Sequence, residues 1–270
     1  MKGRIYNIEL RFWYLSAILI SVFIGSSVNA QGIQSGDKVI NQQVWIDFYP
    51  HFYLNDKIEY YGDSGYRSMI SGNNGWQRIY IRPSIKYHQS KTWEFHAGLG
   101  MFYIFQKELS DKFEVTPWQG VQLMWPRFNI LHFKHLVRFE ERFSYDVNDS
   151  WDSSTEFRLR YMLSGKVEFT DSWFVPFYGE FFVPVFGEVE ELFRNKGRVG
   201  VGIGYKAKKD WQLSFVFNWQ GSRDGIQQDL NISDYAFQLK YKKVWQSVFF
   251  KKKRIKEERM KERFDILEKL

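Results

Sequence analysis

The sequence predicts an all-β protein, an antiparallel up-and-down transmembrane β-barrel of ten to twelve strands with twelve slightly preferred, followed by a C-terminal helical tail. Residues 211–220 alternate large apolar side chains with mostly polar ones, and this pattern recurs from about residue 44 to residue 245. Successive side chains of a strand point to opposite faces, so each such segment has one apolar and one polar face. Aromatic residues make up 20% of the chain, as expected for a barrel with aromatic girdles.

The first thirty residues have the pattern of an export signal. Lys2, Arg4 and Arg11 precede an apolar run at 12–24, and small residues then lead to Ala30. The run is shorter than the roughly twenty residues that a membrane-spanning helix needs. We therefore expect a cleaved signal peptide at 1–30 and a barrel at 31–245, the alternative being an uncleaved anchor.

The net charge of +7 lies mainly at the two ends of the chain. Residues 1–30 carry a net charge of +2 and residues 246–270 carry +4, which leaves +1 for 31–245. Nucleic-acid binding is therefore not expected of the folded part. The chain has no cysteine, which excludes disulfides, thiolate metal sites and lipoprotein processing.

Eleven candidate strands alternate with short turns and longer polar links. Because barrels of this kind normally have an even number of strands, twelve is preferred over the eleven counted. The candidate strands cover about 41–53, 58–69, 76–88, 93–105, 113–125, 130–143, 154–169, 173–187, 194–207, 211–222 and 232–245. The segment 41–69 has the weakest alternation.

Alternation assigns one face of each strand to lipid and the other to the lumen. The outward positions are apolar: Ile79, Ile81, Ile85, Trp93, Phe95, Leu99, Met101, Phe157, Leu159, Tyr161, Val199, Val201, Ile203, Tyr235, Phe237 and Leu239. The inward positions include Tyr80, Tyr178, Gln238, Lys240 and nine charged candidates for the functional site. These nine are Arg78, Arg82, Arg138, Glu140, Arg142, Arg158, Arg160, Glu180 and Arg198.

Several short motifs resemble those of the domain-of-unknown-function 2490 family of Gram-negative outer-membrane proteins. They include Trp76-x-Arg-x-Tyr-x-Arg-Pro83, Pro117-Trp118-Gln119-Gly120, the run 138–143 and the alternating glycines at 198–205. The resemblance covers roughly residues 40–243. It implies an outer-membrane location and a barrel, and it brings no activity with it.

The nine charged lumen residues support two interpretations. The guanidinium fork of arginine pairs bidentately with carboxylate or phosphate, so the lumen could form a small anion-preferring pore. Alternatively, the same residues form a network of ion pairs that plugs a narrow barrel. The sequence predicts a non-enzymatic protein of either kind.

A lipid hydrolase or acyltransferase is the enzymatic alternative. Such an enzyme needs a serine within hydrogen-bonding reach of a histidine, and the five histidines stand in no obvious pairing with one. They are His51, His88, His96, His132 and His135. We expect no catalytic residues, no cofactor and no metal site, although Asp146, Asp149 and Asp152 could in principle gather a hard cation.

The segment 246–270 is predicted to form a basic helical tail. Ile255, Met260, Phe264 and Leu267 fall on one helical stripe opposite a charged face. A solvated helix and a docking element are both compatible with this pattern, so an adaptor that binds a partner through its loops or tail is a further alternative. The expected partners are outer-membrane lipid and lipopolysaccharide, the barrel-assembly machinery and a periplasmic partner of the tail.

Overall fold

The computed structural model describes residues 39–71, 75–126, 128–148, 151, 153–186, 195–207, 210–222 and 232–245. The predicted signal peptide and helical tail lie outside these residues. Within them the chain forms eleven strands: β1 (Val39–Tyr53), β2 (Ile58–Ser71), β3 (Trp76–His88), β4 (Trp93–Gln106), β5 (Lys112–Met124), β6 (Leu131–Asp146), β7 (Ser153–Glu168), β8 (Trp173–Phe186), β9 (Asn195–Ala207), β10 (Trp211–Ser222) and β11 (Ile232–Trp245). No helix in the described part of the chain is long and apolar enough to cross a membrane.

The eleven strands close into one barrel. Every strand pairs antiparallel with its neighbour in sequence, and β1 closes the barrel by pairing in parallel with β11, from Val39 opposite Ile232 to Phe52 opposite Trp245. The antiparallel barrel is therefore confirmed, with one parallel pair at its closure, and the described residues form eleven strands, within the expected range of ten to twelve, instead of the preferred twelve. When strand direction alternates, an odd number gives the first and last strands the same direction.

The connections 54–57, 89–92, 125–130, 169–172 and 208–210 lie at one end of the barrel, which we call the turn end. Side chains in these turns satisfy free backbone groups. Asn55 accepts hydrogen bonds from the N–H groups of Lys57 and Ile58, each at 2.8 Å, and Thr170 accepts one from Trp173 at 2.9 Å. Polar side chains of this kind favour turns over continued strands. The opposite end, where β1 begins, is the loop end.

The exterior wall is apolar, as the alternation predicts. Ile81 and Phe95 are 50% and 46% exposed, whereas their sequence neighbours Arg82 and Glu94 point inward. The first hairpin, which had the weakest pattern, follows the same rule, because Ile46 is exposed while Trp45 and Asp47 are almost completely buried. The core of this protein is therefore the side-chain filling of its lumen.

Candidate functional site

All nine charged residues that alternation assigned to the lumen lie on the inner face of the barrel. Arg142 and Glu140 are 1% and 2% exposed. Their strands, from β3 to β9, face one another across the barrel, so residues far apart in sequence meet there. The structure thus brings the nine together in one connected charged region.

Glu140 of β6 is the centre of that region. Its carboxylate accepts hydrogen bonds from Arg158 Nε and Nη2 at 2.9 and 2.6 Å and from Arg160 Nη1 at 2.6 Å. Arg138 Nη1 lies 3.4 Å from the same carboxylate. Three guanidinium groups therefore share one buried carboxylate.

Glu180 of β8 extends the network toward β9. Arg160 Nε donates to it at 3.1 Å, and Arg198 Nη1 lies 3.4 Å from its second oxygen. Arg198 also donates to the side-chain oxygen of Gln220 at 2.6 Å. Arg160 thus bridges Glu140 and Glu180. Glu180 would therefore remain paired with Arg160 if Arg198 were replaced.

The remaining carboxylate partners were not predicted from the sequence. Asp63 accepts both ends of the Arg82 guanidinium, at 2.8 and 2.6 Å. Arg142 is held between Glu114, whose Oε1 is 3.3 Å from Nε, and Glu156. We call the connected set the arginine network: Arg67, Arg78, Arg82, Arg138, Arg142, Arg158, Arg160, Arg198, Asp47, Asp63, Glu114, Glu140, Glu156 and Glu180.

Aromatic rings inside the barrel support several of the arginines. The guanidinium of Arg138 lies 3.9 Å from the ring centre of Trp118, and that of Arg67 lies 4.1 Å from Trp45. Arg78 lies 5.6 Å from the ring centre of Phe102. Cation–π contacts of this kind stabilise a buried positive charge without neutralising it.

A cavity of 80 Å³ lies within the arginine network. On the scale of about 10–15 Å³ for a water-sized sphere, it accommodates roughly five to eight water molecules or non-hydrogen atoms. Its charged lining consists of seven arginines and one glutamate, and three aromatic rings complete the wall. The lining residues are Arg67, Arg78, Arg82, Arg142, Arg158, Arg160, Arg198, Glu114, Tyr80, Phe102 and Phe182.

Uncharged amides fill the lumen on the side of β1, β10 and β11. Gln43 and Asn218 have no exposed surface, and Gln220 and Gln238 are 1% and 3% exposed. Asn218 donates to the side-chain oxygen of Gln238 at 3.1 Å, and Gln238 donates to Asp47.

A second polar cluster lies at the turn end and was missed from the sequence. His51 contacts Glu59 at 2.6 Å, and His88 contacts Glu59 at 3.1 Å and Glu94 at 2.8 Å. Tyr61 contacts His96. The strands β1 to β4 thus share a chain of histidines and carboxylates. In the described ranges, no group of three or more His, Asp or Glu residues is arranged to hold a metal ion.

The other two histidines lie on opposite faces of the wall. His132 is 3.2 Å from Glu168 inside the turn end. His135 contacts the hydroxyl of Tyr161 at 2.7 Å and shares the outward parity of Val137.

Fold and site together define a closed, eleven-stranded β-barrel with an apolar exterior and a lumen filled by ion pairs. The chain belongs to the family described as protein of unknown function (DUF2490), whose profile matches residues 42–229. This confirms the resemblance that the sequence motifs indicated.

The solved structures that are similar to this chain include a receptor and a porin. The siderophore receptor PirA from Pseudomonas aeruginosa is 9% identical over 66% of this chain, with a TM-score of 0.33. The matched region spans only 34% of that receptor. The NanC porin is 12% identical over 71% of this chain and 93% of its own, with a TM-score of 0.37. No curated protein matches the chain.

Proposed function

We propose that this protein is a non-enzymatic outer-membrane barrel whose lumen forms a narrow, anion-preferring constriction. The observation that carries the proposal is the cavity in the arginine network, where seven arginines face one glutamate. Rings of arginine or lysine confer anion preference on pores.

The exterior of the barrel supports a membrane location. Large apolar side chains cover it, and aromatic rings follow one another around the turn end. Trp173 and Tyr205 are 4.9 Å apart, Tyr205 and Trp211 are 6.3 Å apart, and Trp211 and Tyr241 are 6.3 Å apart. Consecutive rings at one height of a barrel are typical of the girdle at a membrane–water interface. A barrel in water would leave these rings exposed without a partner.

The charge balance of the arginine network supports anion preference over simple plugging. A network that only neutralised itself would have equal numbers of positive and negative groups. The arginine network contains eight arginines and six carboxylates. Seven of these arginines line the cavity, together with one of the carboxylates. Such a lumen attracts anions and repels cations. The small cavity and the packed amides predict a low conductance.

Arg198→Gln is expected to reduce anion preference while leaving the fold intact. Arg198 lines the cavity, and its carboxylate partner Glu180 retains the hydrogen bond from Arg160 in the variant. One unit charge about 8 Å from a permeating ion contributes about 0.5 kcal/mol in a water-like medium. Losing the charge disfavours an anion and favours a cation by that amount, so the anion-to-cation permeability ratio should fall about fivefold, as measured by the reversal potential of single channels in a potassium chloride gradient.

The matched control is Arg198→Lys, which keeps the charge and should keep the permeability ratio of the native protein. If purified protein inserts into bilayers but does not conduct, or if the native channel prefers cations, the proposal is wrong. An unchanged ratio in Arg198→Gln would show that the cavity does not set selectivity.

A further inference from the structure

Six lysines point into the lumen at the turn end, below the arginine network. They come from β3, β6, β7, β9 and β11, so they surround the opening on several sides. We call this set the lysine vestibule: Lys86, Lys134, Lys166, Lys206, Lys240 and Lys242. The described carboxylates at the same height are Glu59, Glu94 and Glu168, and Lys240 stands at the upper edge of the set, opposite Asp47 of the arginine network.

Three of the six lysines already form ion pairs with these three carboxylates. Lys86 lies 3.4 Å from Glu59 and 3.8 Å from Glu94. Lys166 and Lys206 both contact Glu168, the former at 2.5 Å, and histidines take further oxygens of all three carboxylates. Little acceptor capacity remains for another cation.

Lys134, Lys240 and Lys242 make no ion pair with any carboxylate in the part of the chain that the structure describes. Lys240 lies 5.2 Å from the ring centre of Tyr178. Lys134 is exposed although it points inward, so the vestibule is open to water. The charges of Lys86, Lys134 and Lys166 repel that of Lys242, and Glu59 attracts it. An arrangement of this kind is stabilised when a counter-ion is present.

We propose that the lysine vestibule binds phosphate, either free in solution or on a lipid headgroup, as a site separate from the arginine cavity. Ammonium groups on flexible stems act as point charges that adjust to a multivalent oxyanion. Lys134 on β6 and Lys242 on β11 approach from different walls, so together they hold the anion. This site exists whether or not the lumen conducts.

The test uses the full chain in a phosphate-free detergent, titrated with inorganic phosphate by isothermal calorimetry. We expect the native protein to bind phosphate and the double variant Lys134→Gln/Lys242→Gln to bind about tenfold more weakly, because two charge-assisted contacts are lost. Lys57→Gln is the matched control, since Lys57 is exposed in a turn at the same end. Heat-modifiable migration on gels confirms that each variant is folded.

Absence of phosphate binding by the native protein would overturn the proposal. Equal affinity in the double variant, or an equal loss in Lys57→Gln, would do the same. A loss in Arg198→Gln with full binding in the lysine variant would place the anion in the cavity and also overturn it. Repeating the titration in nanodiscs distinguishes the source: competition by phosphatidylglycerol assigns the phosphate to a headgroup, and no competition assigns it to solution.

Discussion

Replacing Arg142 with methionine is expected to destabilise the barrel by about 3–5 kcal/mol, because it leaves two buried carboxylates without their cation. Glu114 and Glu156 are 5% and 6% exposed, and both contact the Arg142 guanidinium. Urea-induced unfolding in lipid vesicles, followed by tryptophan fluorescence, measures the change.

The triple variant Arg142→Met/Glu114→Gln/Glu156→Gln is the control for this interpretation. Removing all three charges leaves neither carboxylate buried without its cation, and replacing a whole buried ion-pair group is often nearly neutral. We therefore expect the triple variant to recover most of the lost stability. If Arg142→Met alone unfolds at the native urea concentration, the buried network does not stabilise the barrel in the way described.

Gly202→Ala is expected to destabilise the barrel by about 3 kcal/mol, at the upper end of the range for overpacking. A Cβ atom at Gly202 would meet the carbonyl oxygen of Phe215 and lie 2.8 Å from the Cα atom of Val216. Both are backbone atoms of the adjacent strand β10, so a change of rotamer cannot relieve the contact. The wall itself must shift. The same unfolding experiment measures this change.

Gly179→Ala in the neighbouring strand β8 is the matched control. Its Cβ atom would meet nothing nearer than a methyl group of Val199 at 4.0 Å. We expect a stability within about 0.5 kcal/mol of the native value. Equal effects of the two substitutions would contradict the close approach of β9 and β10.

The alternation of apolar and polar residues was sufficient to predict the strands and which of their side chains face lipid or the lumen. The connections lie where the alternation stops. The inward direction of residues such as Arg138 and Arg158 follows from the alternation itself, because successive side chains of a strand point to opposite faces. Strand number was harder to predict, since parity rests on a general preference for even numbers. How β1 meets β11 depends on pairing between residues about 190 positions apart, as in the bond from Asn41 to Asp234, and no local pattern encodes it.

Seven of the eight arginines of the network were predicted and Arg67 was missed, whereas most of the carboxylate partners were not predicted. Arg82 and Arg142 stand in strands with clear alternation, so their direction was evident. Asp63 lies between Gly62 and Gly65, where alternation is blurred. Glu114 and Glu156 lie near strand ends, where the boundary of the wall is uncertain. Continuing the parity of Val115 and Phe157 would have placed both glutamates inward.

The turn-end cluster was missed for a different reason. His51, His88 and His96 lie on separate strands, and each alone has the appearance of an isolated polar residue. Their common height along the barrel depends on register, for example the pairing of His88 with Glu94 and of Lys86 with His96. Register between strands is fixed by closure of the whole barrel and cannot be obtained from one strand at a time.

The central claim is that a closed wall separates lipid outside from a charged lumen inside. Spin labels placed singly at Phe215, Phe237, Ser214 and Gln238 in lipid bilayers test it most directly, because the chain has no native cysteine. The account predicts that labels at 215 and 237 collide with oxygen dissolved in lipid, whereas labels at 214 and 238 are shielded from lipid. Collision rates that show no alternation between neighbouring positions, or that place all four labels in water, would contradict it.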